Sequence, residues 1–480
     1  MRKIILYSVI ILFTCLTSKA QFVEDAVRMA NSNEPISSRA AGLGISYAGI
    51  ADDYSALYYN PAGLSLLAKK EFSIGLEFLR TSTTSDFMGN SSSIGSSFVS
   101  LSHVGIAFPF KTHIGIGAVA VGYNFEHSFD NTLQFDGFNP TSSIVQSLTG
   151  ETTDLEQNLA YQASLADKAT NGTLHSPIIG NLQQTGFITE RGGIHNFSVG
   201  GSLSLSQSFA VGLTIARKWG TYHYARKYDE SDKNDVYTVW DSVNFTTSDF
   251  SSLTLNENLD QEFSGVSGTI GLQGRFSDAF RFGVTIKTPT YYHISEVSSS
   301  SITARFDNGF TGIPKYPGNG NSYDYQNSYD IITPFIFGFG FSYHSGGLTV
   351  STSAEYNDMS QLQFNNALSE IMSINNDILR TLTGSVTYGL GAEFELPNSP
   401  VIIRASYTGI SSPYANTAIK GSNQYFGVGC GIYVAPNARL DFAGRYSAYS
   451  QTRSNYGTSG SFVDYNFSPL QVSAQLTYRY

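Results

Sequence analysis

Fourteen stretches of this chain alternate apolar with small or polar residues at period two, and the gaps between them alternate short and long. The last stretch shows the pattern best. Leu470, Val472, Ala474, Leu476, Tyr478 and Tyr480 fall on one face, and Gln471, Ser473, Gln475, Thr477 and Arg479 on the other. Successive side chains of a strand point to opposite faces. One face therefore suits hydrocarbon and the other a wet or plugged interior. Among sheets, only a closed one satisfies every backbone group in lipid. The expected fold is all-β: a 14-stranded antiparallel transmembrane β-barrel. The final aromatic strand is of the kind found in bacterial outer-membrane barrels.

The expected strands lie near 71–83, 97–110, 112–126, 193–206, 208–226, 263–277, 280–296, 333–345, 347–357, 383–396, 400–410, 423–435, 437–450 and 466–480. Connections near Lys111, Gln207, Asp278, Gly346, Pro397 and Pro436 are tight. Those at 84–96, 127–192, 227–262, 297–332, 358–382, 411–422 and 451–465 are longer. Outer-membrane barrels have short periplasmic turns and longer extracellular loops. With both chain ends periplasmic, the odd-numbered gaps must be the long ones, and they are. Helical spacing recurs inside two long gaps, at Leu155, Leu159, Gln162 and Ala166 and at Leu368, Ile371, Ile374 and Ile378.

Composition agrees. Charged residues are only 14%, against ~25% in soluble domains, while aromatics reach 14% and glycines number 46. No stretch approaches the ~18 apolar residues of a spanning helix. Residues 1–20 read as a secretory signal: Arg2 and Lys3, an apolar core from Ile4 to Leu16, and Ser18-Lys19-Ala20 ahead of Gln21. Cleavage there leaves 25 basic against 38 acidic residues and Cys430 as the lone cysteine. That excludes a basic nucleic-acid surface, an internal disulfide and a cysteine metal site.

Residues 21–69 do not alternate. They are rich in Ala, Gly and Ser, and long enough to fold back as a plug in a barrel formed by residues 70–480. They carry Arg39-Ala-Ala-Gly-Leu-Gly, then Ala48-Gly-Ile-Ala-Asp52-Asp53, then Asn60-Pro61-Ala62-Gly63-Leu64. Pro61 removes a backbone donor and holds Asn60 extended, where its side chain can satisfy neighbouring backbone groups. This run of motifs, with the signal, the strand count and the terminal aromatic, resembles the FadL/TodX family of outer-membrane transporters for long-chain fatty acids and other hydrophobic compounds. The resemblance implies a small N-terminal hatch inside the lumen, with Asn60, Pro61 and Ala62 as its motif. It also implies passive uptake of a hydrophobic small molecule, fatty-acid-like or aromatic, across the outer membrane.

The family releases ligands sideways beside an inward-kinked third strand. Here the third strand changes phase: Ile114 and Ile116 are apolar at even positions, then Val119, Val121, Tyr123 and Phe125 at odd ones. One inserted residue reverses which face points outward, and Gly115 and Gly117 are the expected gate residues. No catalytic or metal motif is present, so an enzyme and a cofactor are not expected. Arg439, Asp441 and Arg445 share the lumen face of strand thirteen and read as structural charges. The expected partners are the hydrophobic ligand and outer-membrane lipid, for a monomer without nucleic acid. The alternative on the same barrel is a surface binding protein or a secretion-system subunit.

Overall fold

The computed structural model describes residues 17–30, 34–151, 155–169, 172–238, 249–315, 320, 322–416, 422–456 and 460–480. The apolar core of the expected signal lies outside them. Fourteen antiparallel strands close into one barrel: β1 (Glu71–Phe87), β2 (Asn90–Lys111), β3 (Ile116–Ser128, resumed at Asn131–Asn139) and β4 (Leu182–Ser204). They continue with β5 (Phe209–Ser231), β6 (Phe250–Arg275), β7 (Phe280–Lys287 and Tyr291–Phe306) and β8 (Tyr323–Ile332 and Ile336–Ser345). β9 (Leu348–Asp358), β10 (Gly384–Glu395), β11 (Val401–Ile410) and β12 (Asn423–Ala435) follow. β13 (Ala438–Ser447 and Tyr449–Ser454) and β14 (Phe462–Arg479) complete the wall. The ladder from Glu71–Arg479 to Asp86–Asp464 joins β1 to β14 and closes it.

The parity read from the sequence holds. On β14, Leu470, Val472, Leu476 and Tyr478 are exposed outward, while Gln471, Ser473, Gln475 and Thr477 are buried inside. Exposed Leu76, Val119, Leu213, Ile270, Phe337, Leu390 and Val428 carry the apolar band round the barrel. Such a surface is stable only in hydrocarbon. The protein is an outer-membrane-type β-barrel. No described helix is long and apolar enough to cross a membrane.

Several strands outrun their sequence bounds. The expected loop at 84–96 is a two-residue turn at Met88–Gly89, both with positive φ (49° and 84°). That geometry matches the twist of a tight hairpin. The serine-rich run Ser91–Ser97 carries no apolar alternation, which hid its strand. Strand β3 starts at Ile116 rather than 112, which leaves Ile114 in the turn. β7 and β8 each break at a proline, Pro289 and Pro334, as proline in a wall requires. The Thr333 hydroxyl accepts from the Thr290 amide at 2.9 Å and keeps the two breaks joined.

Three helices, α1 (Thr17–Ala30), α2 (Ser38–Gly42) and α3 (Ala56–Tyr59), precede the wall. At the loop end, the helical spacing expected at Leu155, Leu159, Gln162 and Ala166 yields only the single turn α5 (Leu159–Gln162), and α4 (Ile144–Glu151) lies ahead of it. Helix α6 (Ser369–Thr381) buries Ile371, Ile374 and Ile378, while Leu368 lies exposed ahead of it. This apolar stripe packs beside Val23, Val27 and Met29 of α1 (Thr17–Ala30).

Candidate functional site

The segment from Ile36 to Leu67 is packed inside the barrel at its tight-turn end. Its core joins Ile36, Leu43, Tyr47, Ile50, Tyr54, Leu57 and Leu64 to Ala107, Ala118 and Ala120 of the wall. The lumen face is cut away to receive it. A Cβ on Gly105 or Gly122 would lie 1.9 or 2.1 Å from Tyr54, one on Gly212 2.3 Å from Pro61, and one on Gly283 2.0 Å from the Ala48 carbonyl oxygen. These glycines are needed for the close approach of the plug, not for turns.

Asn60 is fully buried. Its Oδ1 accepts from the Ala62 amide at 3.2 Å and caps the short 3₁₀ helix that opens at Pro61. Its Nδ2 donates to the Ala48 carbonyl at 3.0 Å, to the Leu272 carbonyl of β6 at 3.2 Å, and to Gln273 Oε1 at 3.1 Å. One side chain therefore ties two parts of the hatch to the wall. The Ala62 amide nitrogen lies against Gly212 and Gly271, where an added Cβ would come within 2.4 and 3.1 Å of it.

A network of ion pairs fixes the same segment. Arg39 donates to Glu393 of β10 through Nε (3.0 Å) and Nη2 (2.9 Å), and it also meets Asp52 and Asp53. Glu393 in turn accepts from Arg404 of β11 at 2.6 Å. Arg404 lies 2.8 Å from Asp441 of β13, which also holds Arg439 at 2.8 Å. Arg281 approaches Asp52, and Arg479 pairs with Glu71, whose other oxygen accepts from the Tyr54 amide. Five guanidiniums thus face five carboxylates, and the set is neutral. Arg439 and Asp441 belong to this network, as the structural reading of strand thirteen has it. Arg445 does not: it stacks 3.5 Å over Tyr425 higher in the lumen. Sequence reading passed over Glu393, Arg404 and Glu71, although a charged residue at lumen parity in each strand was a usable signal.

Above the hatch lies a cavity of about 1360 Å³. It is lined by Asp25 and Arg28 of α1, by Ile144 and Leu148 of α4, by Ile371 and Ile374 of α6, and by lumen-facing residues of strands right round the barrel. Burial outweighs the neighbouring Arg28 and lifts the Asp25 carboxyl to about 6.

The wall is not uniformly paired. The β2–β3 ladder runs from Lys111–Ile116 to His103–Asn124 and stops. Beyond it, β2 pairs only with β1, while β3 follows β4 through a one-residue bulge at Glu126. Glu126 turns inward to Lys218 (2.6 Å) and Asn196 (3.0 Å), and Phe129 is drawn against Tyr222 and Phe263. Tyr54 of the hatch sits just under the last rungs, donating to the Tyr123 carbonyl at 3.3 Å and stacking on His103. Gly115 lies in the β2–β3 turn, and Gly117 is paired with both Phe110 and Leu203. The ladder is continuous at Gly117, and Gly115 precedes it in the turn. The interruption lies further along the strand, at 125–130.

These features define a closed, plugged 14-stranded barrel with an internal cavity and an interrupted wall. Neither a family model nor a curated sequence matches the chain. Solved structures share the fold. The Pseudomonas putida toluene transporter TodX aligns over 92% of this chain and 97% of its own, with a TM-score of 0.56 and 10% identity. A Pseudomonas aeruginosa FadL homologue covers the same shares with a TM-score of 0.58 and 12% identity. The Ralstonia pickettii toluene transporter TbuX aligns over 92% and 97% with a TM-score of 0.51 and 13% identity.

Proposed function

We propose that this protein is a FadL/TodX-type channel for passive uptake of hydrophobic small molecules across the bacterial outer membrane, made with a cleaved signal. The ligand enters at the loop end, rests in the cavity above the hatch, and leaves sideways between β2 and β3 into the bilayer. The observation that carries this reading is the conjunction of a filled axis with an interrupted wall. The hatch fills the tight-turn end, so a straight passage is obstructed, while the ladder beside the cavity ends at His103–Asn124.

The driving force is transfer out of water. An apolar solute gains roughly 25 cal/mol for each Å² withdrawn from water, so a ligand hiding about 200 Å² gains roughly 5 kcal/mol. No nucleotide or metal is required. A lateral gap in lipid is costly unless its freed backbone groups find partners. The Gln134 side chain, which donates to the Ser93 carbonyl at 3.1 Å, supplies one of them.

Deleting Glu126 together with Lys218→Met removes the bulge and its buried charge partner, and lets β3 pair on along β2. Uptake of a hydrophobic fluorescent tracer into cells should fall about tenfold while the barrel still migrates as a folded, heat-modifiable species. Unchanged uptake by that folded variant would refute lateral release.

A further inference from the structure

The cavity carries a charge pattern that bears on which ligands it admits. Among the described lining residues, eight carboxylates face four arginines, one histidine and no lysine. The cations are already engaged. Arg28 is bonded to Asp25 and to Gln261 and lies 3.5 Å over the Tyr222 ring. Arg226 is 2.9 Å from Glu257, Arg453 is 3.2 Å from Glu190, and His127 is 2.9 Å from Glu34. Arg445 is covered by Tyr425. Glu296 lines the same space with, among the described residues, the Gln261 amide and the Tyr329 hydroxyl as its donors. An anionic headgroup entering here meets net negative charge, and to gain a cation must displace an existing carboxylate or, at Arg445, the Tyr425 ring.

A bare hydrocarbon fits no better. Nine tyrosines line the space, with the side chains of Asn258, Asn357, Asn423, Gln451 and Ser450 among them. Covering these groups with an alkane would take water from them and return nothing. The volume, about 1360 Å³, also exceeds the usual range for small-ligand pockets.

We infer that the cavity selects uncharged amphiphiles, with hydrogen-bonding groups on a hydrocarbon body, over free carboxylates and plain hydrocarbons. This rests on the uptake reading and names its substrate class. The hydrocarbon body lies along Ile144, Leu148, Leu159, Ile371 and Ile374 of the loop helices, and the polar end among the tyrosines and amides below.

The test is equilibrium binding to the full-length mature protein in lipid nanodiscs at pH 8, with four probes of equal chain length: 1-monopalmitoylglycerol, palmitate, hexadecane and hexadecyltrimethylammonium. The monoglyceride is expected to bind at least about tenfold tighter than palmitate. Glu190→Gln removes the carboxylate bonded to Arg453 and leaves it only the more distant Glu24, and Glu257→Gln removes the carboxylate bonded to Arg226. Each variant that folds should gain palmitate affinity severalfold. Palmitate, alkane or cation binding as tightly as the monoglyceride overturns the selectivity and leaves uptake standing. A failure of both folded variants to gain palmitate overturns the charge argument. Absence of binding by all four probes overturns the uptake reading itself.

Discussion

Removing Glu393 should free the hatch without opening the wall. This carboxylate takes two hydrogen bonds from Arg39 of the hatch and one from Arg404 of β11, all buried. Glu393→Ala takes a shared carboxylate from both guanidiniums at once, leaving Arg39 with Asp52 and Asp53 and Arg404 with Asp441. Breaking a buried ion pair by deleting one partner costs about 3–5 kcal/mol, and the carboxylates that both arginines keep place this variant at the lower end. Arg39→Ala should cost less, roughly 1–3 kcal/mol, because Glu393 keeps Arg404, and Asp53 keeps the hydroxyls of Tyr47 and Ser55. The barrel is closed by backbone ladders that neither change touches. The loss should therefore appear as hatch release. Single-channel conductance in planar bilayers should rise, and residues 34–67 should become cleavable by protease in detergent, more in Glu393→Ala than in Arg39→Ala. The double variant Glu393→Ala/Arg39→Met should recover part of the loss. Equal effects of the two single changes, or a hatch that stays protected in Glu393→Ala, would refute the reasoning.

Other outcomes follow from the same contacts. Asn60→Ala leaves the Leu272 carbonyl and the Ala62 amide without their partner and should weaken hatch docking by about 1–3 kcal/mol, read as increased conductance at unchanged barrel melting. Gly105→Val should displace Tyr54 and raise permeability to polar antibiotics, whereas Gly95→Ala, with no atom nearer than 3.5 Å, should be silent in the same assay. Deleting residues 34–67 should raise conductance further than any point change, and unaltered conductance would show that the segment does not block the lumen. An epitope inserted in 152–154 should be reached by antibody on intact cells and one at Gly346 should not, and the reverse pattern would invert the proposed orientation.

The wall was legible because its physics is repetitive. Every strand repeats the same alternation, so Phe337 and Phe339 or Val472 and Leu476 announce their face without reference to anything distant. Strand ends were less legible. Beyond the hydrocarbon band the outward face no longer needs to be apolar, and Ser91–Ser97 reads as a loop although it is ladder-paired to β1. Pro334 similarly hid the part of β8 that precedes it, Tyr323–Ile332, whereas the expected strand at 280–296 ran across Pro289. The hatch announced itself by its loss of alternation and its small residues, and Asn60 by the proline that follows it. Its partners were not legible. Arg39 meets Glu393 across 354 residues, and Asn60 meets Leu272 across 212. Period-two alternation shows which face a charge occupies, but not which other strand it will meet.

The same limit explains strand three. Its change of phase is visible in the sequence, and glycine is the residue expected at a backbone irregularity. What bends β3 is instead a buried charge. Glu126 is the extra residue of the bulge, and it points inward because Lys218 and Asn196 wait in the lumen. A carboxylate facing lipid at that height would be costly, so the bulge gives Glu126 the inward face that its partners require. The turn inward carries Phe129 to Arg28, Tyr222 and Phe263, and so joins the wall interruption to the floor of the cavity. Position 129 tests that link: Phe129→Ala should loosen α1 and alter ligand retention, while Glu126 and the interruption stay in place. If retention is unchanged, the cavity and the interruption act independently, and lateral release must draw its ligand from elsewhere in the lumen.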